Sequence, residues 1–216
     1  MGNAYEIYAL RYATMSPRTP HMNYLQPDPH ETTAQDLDYF VWLIRGGGRE
    51  ILVDTGFNAE EAKARARKLT LNPVDALEGF GVRADGIKDV IVTHLHYDHA
   101  GNHDLFPNAS YHIQDREMEY CTGRCMCHSN LRHPFEPDDV TAMVRKLFQG
   151  RVKFHNGASE IADGVSVPNP QQIILDCCSG RAAYAILPIV QTLSQNEALA
   201  RVSFLYERSN EEVAAR

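Results

Sequence analysis

Apolar and polar positions alternate over residues 5–13, with Tyr5, Ile7 and Ala9 set against Glu6, Tyr8 and Leu10, the period-two pattern of a strand. Residues 16–36 show no period and are rich in Pro, His, Asp and Thr, so a long loop is expected there. An apolar run from Asp38 to Arg45, a Gly46-Gly47-Gly48 turn and a return through Ile51-Leu52-Val53 predict a hairpin that ends at Asp54-Thr55-Gly56. Asn58 is placed to cap a helix over 59–69, with Glu60 and Glu61 in its first turn, and a short helix is expected from Pro73 to Gly79. Ile87 to Thr93 reads as a buried strand, Ser110 to Gln114 as another, and residues 115–120 as helical. Val140, Met143, Val144, Leu147 and Phe148 recur at helical spacing within Pro137–Gln149. Arg151–His155 and Glu160–Val167 read as two strands around Asn156-Gly157, and the alternation of strands and helices predicts a layered α/β protein. Ile173-Ile174-Leu175 reads as a strand, and residues 182–206 as a weakly helical apolar stretch that Pro188 would interrupt.

Length and composition narrow the function class. The chain has 216 residues, 44% hydrophobic and 23% charged, as expected of one globular domain that needs no disulfide staple. The net charge of −7 and the lack of a basic patch argue against phosphate-neutralising nucleic-acid binding. No run of 18 apolar residues is present, so no membrane span is expected, and the N-terminus has no signal-peptide pattern. Five cysteines cannot all pair with one another, and reduced thiols in a cytoplasmic protein are the expectation. The histidines are unevenly spread. All ten lie at or before His155, while after Val167 there is no histidine, no lysine and a single aspartate, Asp176.

His94-Leu95-His96-Tyr97-Asp98-His99 follows the buried strand directly. Three imidazoles and a carboxylate in six residues, aimed from the end of a strand into one cleft, suit a borderline cation such as zinc better than a solvated polar loop. Cys121-x3-Cys125-x-Cys127-His128, with His133 nearby, has enough soft donors for one structural zinc, but its spacing fits no common module and ordinary thiols are the plainer reading. Adjacent Cys177 and Cys178 are awkward chelators. His21 and His30 read as solvated loop residues, His112 and His155 as structural, and His103 as at most a neighbour of the ligands.

Thr93 to Asn102 resembles the HxHxDH signature of the metallo-β-lactamase-fold hydrolases. Val53-Asp54-Thr55-Gly56 resembles that family's earlier strand-end motif, and Asp163-Gly164 its turn before a later histidine strand. Within the superfamily, residues 5–167 look most like the N-acyl-homoserine lactonases. The resemblance implies an αββα sandwich and two zinc ions, the first held by His94 and His96, the second by Asp98 and His99. It further implies a hydroxide between the zincs that opens a small-molecule lactone, Asp98 passing a proton to the leaving alkoxide, and Asp54 orienting a ligand histidine. A capping or turn role for Asp54 stays open.

The chain departs from the family where a third histidine is due. That stretch reads Val167-Pro168-Asn169-Pro170-Gln171-Gln172. Asp176 is the one aspartate left to bridge two metals, and no terminal histidine exists. The expectation is therefore the N-terminal part of the domain over 1–167, a divergent tail over 168–216 and a second half of the sandwich that is incomplete, as a truncated or frame-altered product would be. The leading function is a zinc-dependent lactonase of quorum-quenching type. The alternatives are a glyoxalase II-like thioesterase and a non-catalytic remnant.

Overall fold

The computed structural model describes residues 5–19, 36–167 and 201–205. The predicted strand at 173–175, the apolar stretch from 182 to 200, most of the early loop, Asp176 and Cys177-Cys178 lie outside the described residues.

Strand β1 (Tyr5–Met15) pairs antiparallel with β2 (Leu37–Gly46), which turns through Gly47-Gly48 into β3 (Arg49–Val53). Both turn glycines have positive φ, as the tight hairpin requires. From β3 the sheet continues in parallel through β5 (Asp89–Ile91), β6 (Ser110–Gln114) and β7 (Val152–His155). On its other side β1 pairs with the two-residue β4 (Lys68–Leu69) and, in parallel, with β10 (Arg201–Leu205).

The two faces of this sheet bury different partners. Leu43, Leu52, Val90, Tyr111 and Ile113 point into one cluster with residues of helices α1 (Ala59–Ala64), α2 (Pro73–Glu78), α4 (Asp115–Thr122) and α6 (Pro137–Phe148). Their strand neighbours Ile44, Ile51, Val53 and Ile91 point the other way, onto Ala162, Val165 and Val167 of a small hairpin, β8 (Ser159–Ala162) with β9 (Val165–Val167). The layers are thus helix, sheet and second sheet, as the α/β expectation requires. A bulge at Tyr12 lets both Tyr12 and Ala13 enter the helical face, which brings the Tyr12 ring beneath the histidine-rich turn. Among the described residues, no helix is long and apolar enough to cross a membrane.

Two expectations are corrected. The helix predicted over 59–69 stops at Ala64: Ala66 takes φ 53°, and the Arg67 N–H folds back onto the Ala62 carbonyl at 2.7 Å. Leu69 leaves the helical pattern because the edge of β1 offers it a strand pairing. The single strand predicted over 160–167 is two strands around Asp163-Gly164, where Gly164 has φ 81°. Its expected partner, β7, pairs with β6 in the main sheet instead.

Candidate functional site

The segment that carries the histidines has left the ladder. β5 ends at Ile91, so the amides beyond it need acceptors of their own. Alternate N–H groups find three: Thr93 donates to Asp54 Oδ1 at 2.8 Å, Leu95 to Glu117 Oε1 at 2.7 Å and Tyr97 to the Pro134 carbonyl at 2.8 Å. Leu95 and Tyr97 are buried in the helical-face core, while His94 and His96 stand edge to face with ring centroids 4.3 Å apart. Phe135 closes on His96 from the other side at 4.6 Å.

A single turn, α3 (Tyr97–Ala100), then places Asp98 and His99. Its backbone is held from two directions. Tyr12 Oη donates to the Asp98 carbonyl at 2.8 Å, and the Thr55 N–H donates to the His99 carbonyl at 2.7 Å. Gly101 ends the turn against Gly56, and a Cβ there would meet backbone of Gly56, Phe57 and Tyr97 at 3.0 Å, so a larger residue would have to push the turn away. Tyr97 is gripped in its turn: the Arg65 guanidinium lies 4.0 Å over its ring and is itself ion-paired to Glu61 and Glu136.

Asp54 is the hub beneath. It is buried, has φ 61° at the end of β3, and turns its carboxylate under the motif. Aspartate is among the few residues that tolerate that left-handed conformation. Besides the Thr93 amide, it accepts the Thr93 hydroxyl at 2.9 Å and faces His99 Nδ1 at 2.7 Å. These bonds fix tautomers by assignment. With Thr93 Oγ1 donating to Asp54, the His94 Nδ1 at 3.0 Å donates to Thr93, leaving the lone pair on Nε2. His99 likewise donates from Nδ1, and its Nε2 faces Asp98 Oδ2 at 3.4 Å.

Charge follows this geometry. Burial drives His94 well below the ordinary imidazole value, with His99 and His96 adding to it, and burial takes His96 down to about 4. Both rings are therefore neutral, with lone pairs to offer. Burial also works against a charged His99, yet Asp98 and Asp54 on its two sides hold its proton well above the usual range. For Asp98, burial is outweighed by His99, and the carboxyl sits below its ordinary value.

In kind, these side chains fit a borderline divalent cation: neutral buried imidazoles, and an Asp98–His99 pair whose donor atoms stand apart by about the 3.3 Å that two arms of about 2.0–2.1 Å span in a tetrahedral site. In number the described set falls short. Among the described residues no group of three or more His, Cys, Asp or Glu side chains is arranged to hold a metal ion. Asp176 lies outside the described residues.

The remaining candidates are elsewhere. The described cysteines are free thiols, Cys121 buried and Cys127 exposed, and among the described residues they form no three-donor group with His128 or His133. His103 is buried, with its ring edge-on to Tyr111 at 6.0 Å. His112 and His155 are hydrogen-bonded to one another at 2.9 Å, with Asp89 behind His112 at 3.0 Å, a structural pairing as expected. Sequence reasoning missed Tyr12, Pro134 and Glu117. Each reaches the motif across a long stretch of chain, and no local pattern marks any of them.

A family model described as the metallo-beta-lactamase superfamily matches residues 35–171. No curated protein matches the chain by sequence. Among solved structures, a quorum-quenching N-acyl homoserine lactone lactonase superimposes with a TM-score of 0.59 at 17% identity, over 100% of this chain and 97% of its own. A B. thuringiensis AiiA mutant with N-decanoyl-L-homoserine bound gives 0.59 at 17% identity, over 100% and 98%. A probable metal-dependent hydrolase from Staphylococcus aureus gives 0.59 at 14% identity, over 77% and 64%. A family model that spans more than half of the chain, and a histidine turn seated where β5 leaves the sheet, lead to one conclusion: the chain belongs to the metallo-beta-lactamase superfamily.

Proposed function

We propose that this chain is a metal-dependent hydrolase that opens the lactone ring of N-acyl-homoserine lactones. The observation that carries the reading is the Asp54–His99–Asp98 chain, in which a buried carboxylate fixes one imidazole nitrogen and turns the other toward a second carboxylate. A pair that holds a proton between Nε2 and Oδ2 is a pair that can hold a cation in its place. His94 and His96 would hold one zinc, Asp98 and His99 a second, with Asp176 as the candidate bridge. A cation held by these residues would supply a Lewis acid for a carbonyl oxygen and would lower the pKa of water.

The protein's own groups supply the rest. Asp54 keeps His99 in the tautomer that presents Nε2, and Thr93 does the same for His94. Asp98 is the group placed to carry a proton to the alkoxide released when the ring opens. The lactone substrate rests on fold neighbours, one of which is an N-acyl homoserine lactone hydrolase with N-hexanoyl-L-homoserine bound. A second reading, a cation-binding relative without turnover, is favoured by the shortage of convergent donors among the described residues.

Elemental analysis and a lactone-hydrolysis assay on one purified sample separate these readings. The hydrolase reading expects at least one zinc per chain together with acid release from an acyl-homoserine lactone, and His96→Ala should remove most of the metal and the turnover together. Metal without turnover selects the second reading. A chain that takes up no metal, or a His96→Ala variant that keeps its full complement, overturns the site assignment.

A further inference from the structure

We propose that Glu117 is a positioning residue for the His94-Leu95-His96 segment, holding the backbone between the two imidazoles so that both face one cleft. The inference rests on the metal-centre reading above and deepens it. Its basis is the alternation of amides along the departing strand. Thr93 and Leu95 are two residues apart, and each gives its N–H to a buried carboxylate, the first to Asp54 and the second to Glu117. Asp54 follows directly on β3, and Glu117 comes from the first turn of α4. The two acids thus clamp the segment at successive contact points, and His94 lies between them.

Glu117 is an expensive residue at this place. It is 4% exposed, and burial pushes its carboxyl up to about 7, against the pull of the Leu95 amide and of His99. A side chain that served only to fill the α4 interface with Met118 and Cys121 would be apolar. The only described partner of Oε1 is the Leu95 N–H, at 2.7 Å. Leu95 itself is fully buried in the core, so its side chain and the Glu117 carboxylate both anchor this peptide. Loss of the acceptor would strand a buried amide and free the peptide to rotate, and the two flanking imidazoles would turn with it.

The test uses three variants of the full chain, Glu117→Gln, Glu117→Asp and Glu117→Ala, with two readouts. The first is NMR on metal-free protein: hydrogen exchange at the Leu95 amide and the imidazole 15N shifts of His94 and His96. The second is affinity for Co2+, measured by competition with a chromophoric chelator. Glu117→Gln keeps an oxygen acceptor of the same reach and should stay close to wild type in both. Glu117→Asp draws the acceptor back by one methylene and should fall between. Glu117→Ala should lose protection at Leu95, shift both imidazoles and weaken Co2+ binding by about 10–100-fold, the usual cost of removing a partner behind a ligand shell. Should Glu117→Ala fail to fold, the ordering of Gln above Asp carries the decision. Unchanged imidazole shifts in Glu117→Ala, or Co2+ affinity equal to wild type, overturns the proposal. Wild-type protein that binds no Co2+ sinks the metal reading, and the imidazole shifts then still decide the role of Glu117.

Discussion

Asp54 shows how much one side chain can settle. Its carboxylate is shared by the Thr93 amide, the Thr93 hydroxyl and His99 Nδ1, all in a buried position. Asp54→Ala strands the amide and the imidazole, at about 1–3 kcal/mol for each buried donor left without a partner. It also places an alanine at φ 61°, which costs more. A fall in Tm of roughly 5–15 °C is expected for a chain of this size, read by thermal unfolding. Asp54→Asn is the sharper probe. Asparagine tolerates the left-handed conformation and keeps an oxygen for the Thr93 amide, so Tm should stay near wild type. Its amide NH2 would face His99 Nδ1, however, and that forces the proton to Nε2, where a cation should bind. Metal affinity is therefore expected to drop by about 10–100-fold with the fold intact. A variant with full metal affinity would mean that the His99 tautomer does not matter. Asp54 was legible in the sequence because it sits in a motif at a strand end. Glu117 was not, because a glutamate in a helical segment reads as solvated until the helix is packed.

Helix α6 carries a strain that its own sequence hardly announces. Acidic residues in a first turn usually complement the helix dipole, and Asp138 and Asp139 fit that rule. Packing places Asp139 in a partly buried spot, and burial first, then Glu136, Glu61, Asp138 and Asp104, pushes its carboxyl up to about 7. The folded chain therefore keeps a proton that the unfolded chain releases near pH 4. Stability from this group is complete below that pH and is lost as pH rises through about 7. Asp139→Asn removes the effect, so the variant should gain Tm relative to wild type as pH rises from 5, with the difference growing up to about pH 7 and levelling off beyond it. A constant difference across that range would show that Asp139 titrates normally. The elements themselves were largely readable: β2–β3, α2, β6 and α6 fall where periodicity and caps put them. The failures occurred where tertiary pairing overrode local pattern, at Leu69 drawn into the sheet and at Asp163-Gly164, where a strand folds back on itself.

At the scale of the whole molecule, the main sheet carries a separate apolar cluster on each face, and that division is testable. Among the described residues, the helical face gathers 26 buried ones, including Leu95 and Tyr97 of the histidine segment. The opposite face gathers nine of the described residues, three of them from the β8–β9 hairpin. The candidate site is built on the helical-face cluster, and the hairpin layer should be separable from it. Trp42, the one tryptophan in the sequence, packs partly buried against the hairpin-side cluster and serves as its reporter. Val165→Asp would bury a carboxylate among Tyr5, Ile7 and Ile51, a cost the hairpin can escape by lifting away. The expected result is a red-shifted Trp42 emission without denaturant, with far-UV circular dichroism and metal content close to wild type. Leu52→Ala, on the helical face, should do the reverse: about 2–5 kcal/mol less stability to urea with Trp42 emission unchanged in the native state. If Val165→Asp instead unfolds the chain outright, or strips its metal while the helices persist, the hairpin layer supports the site directly and the two faces form one cooperative unit.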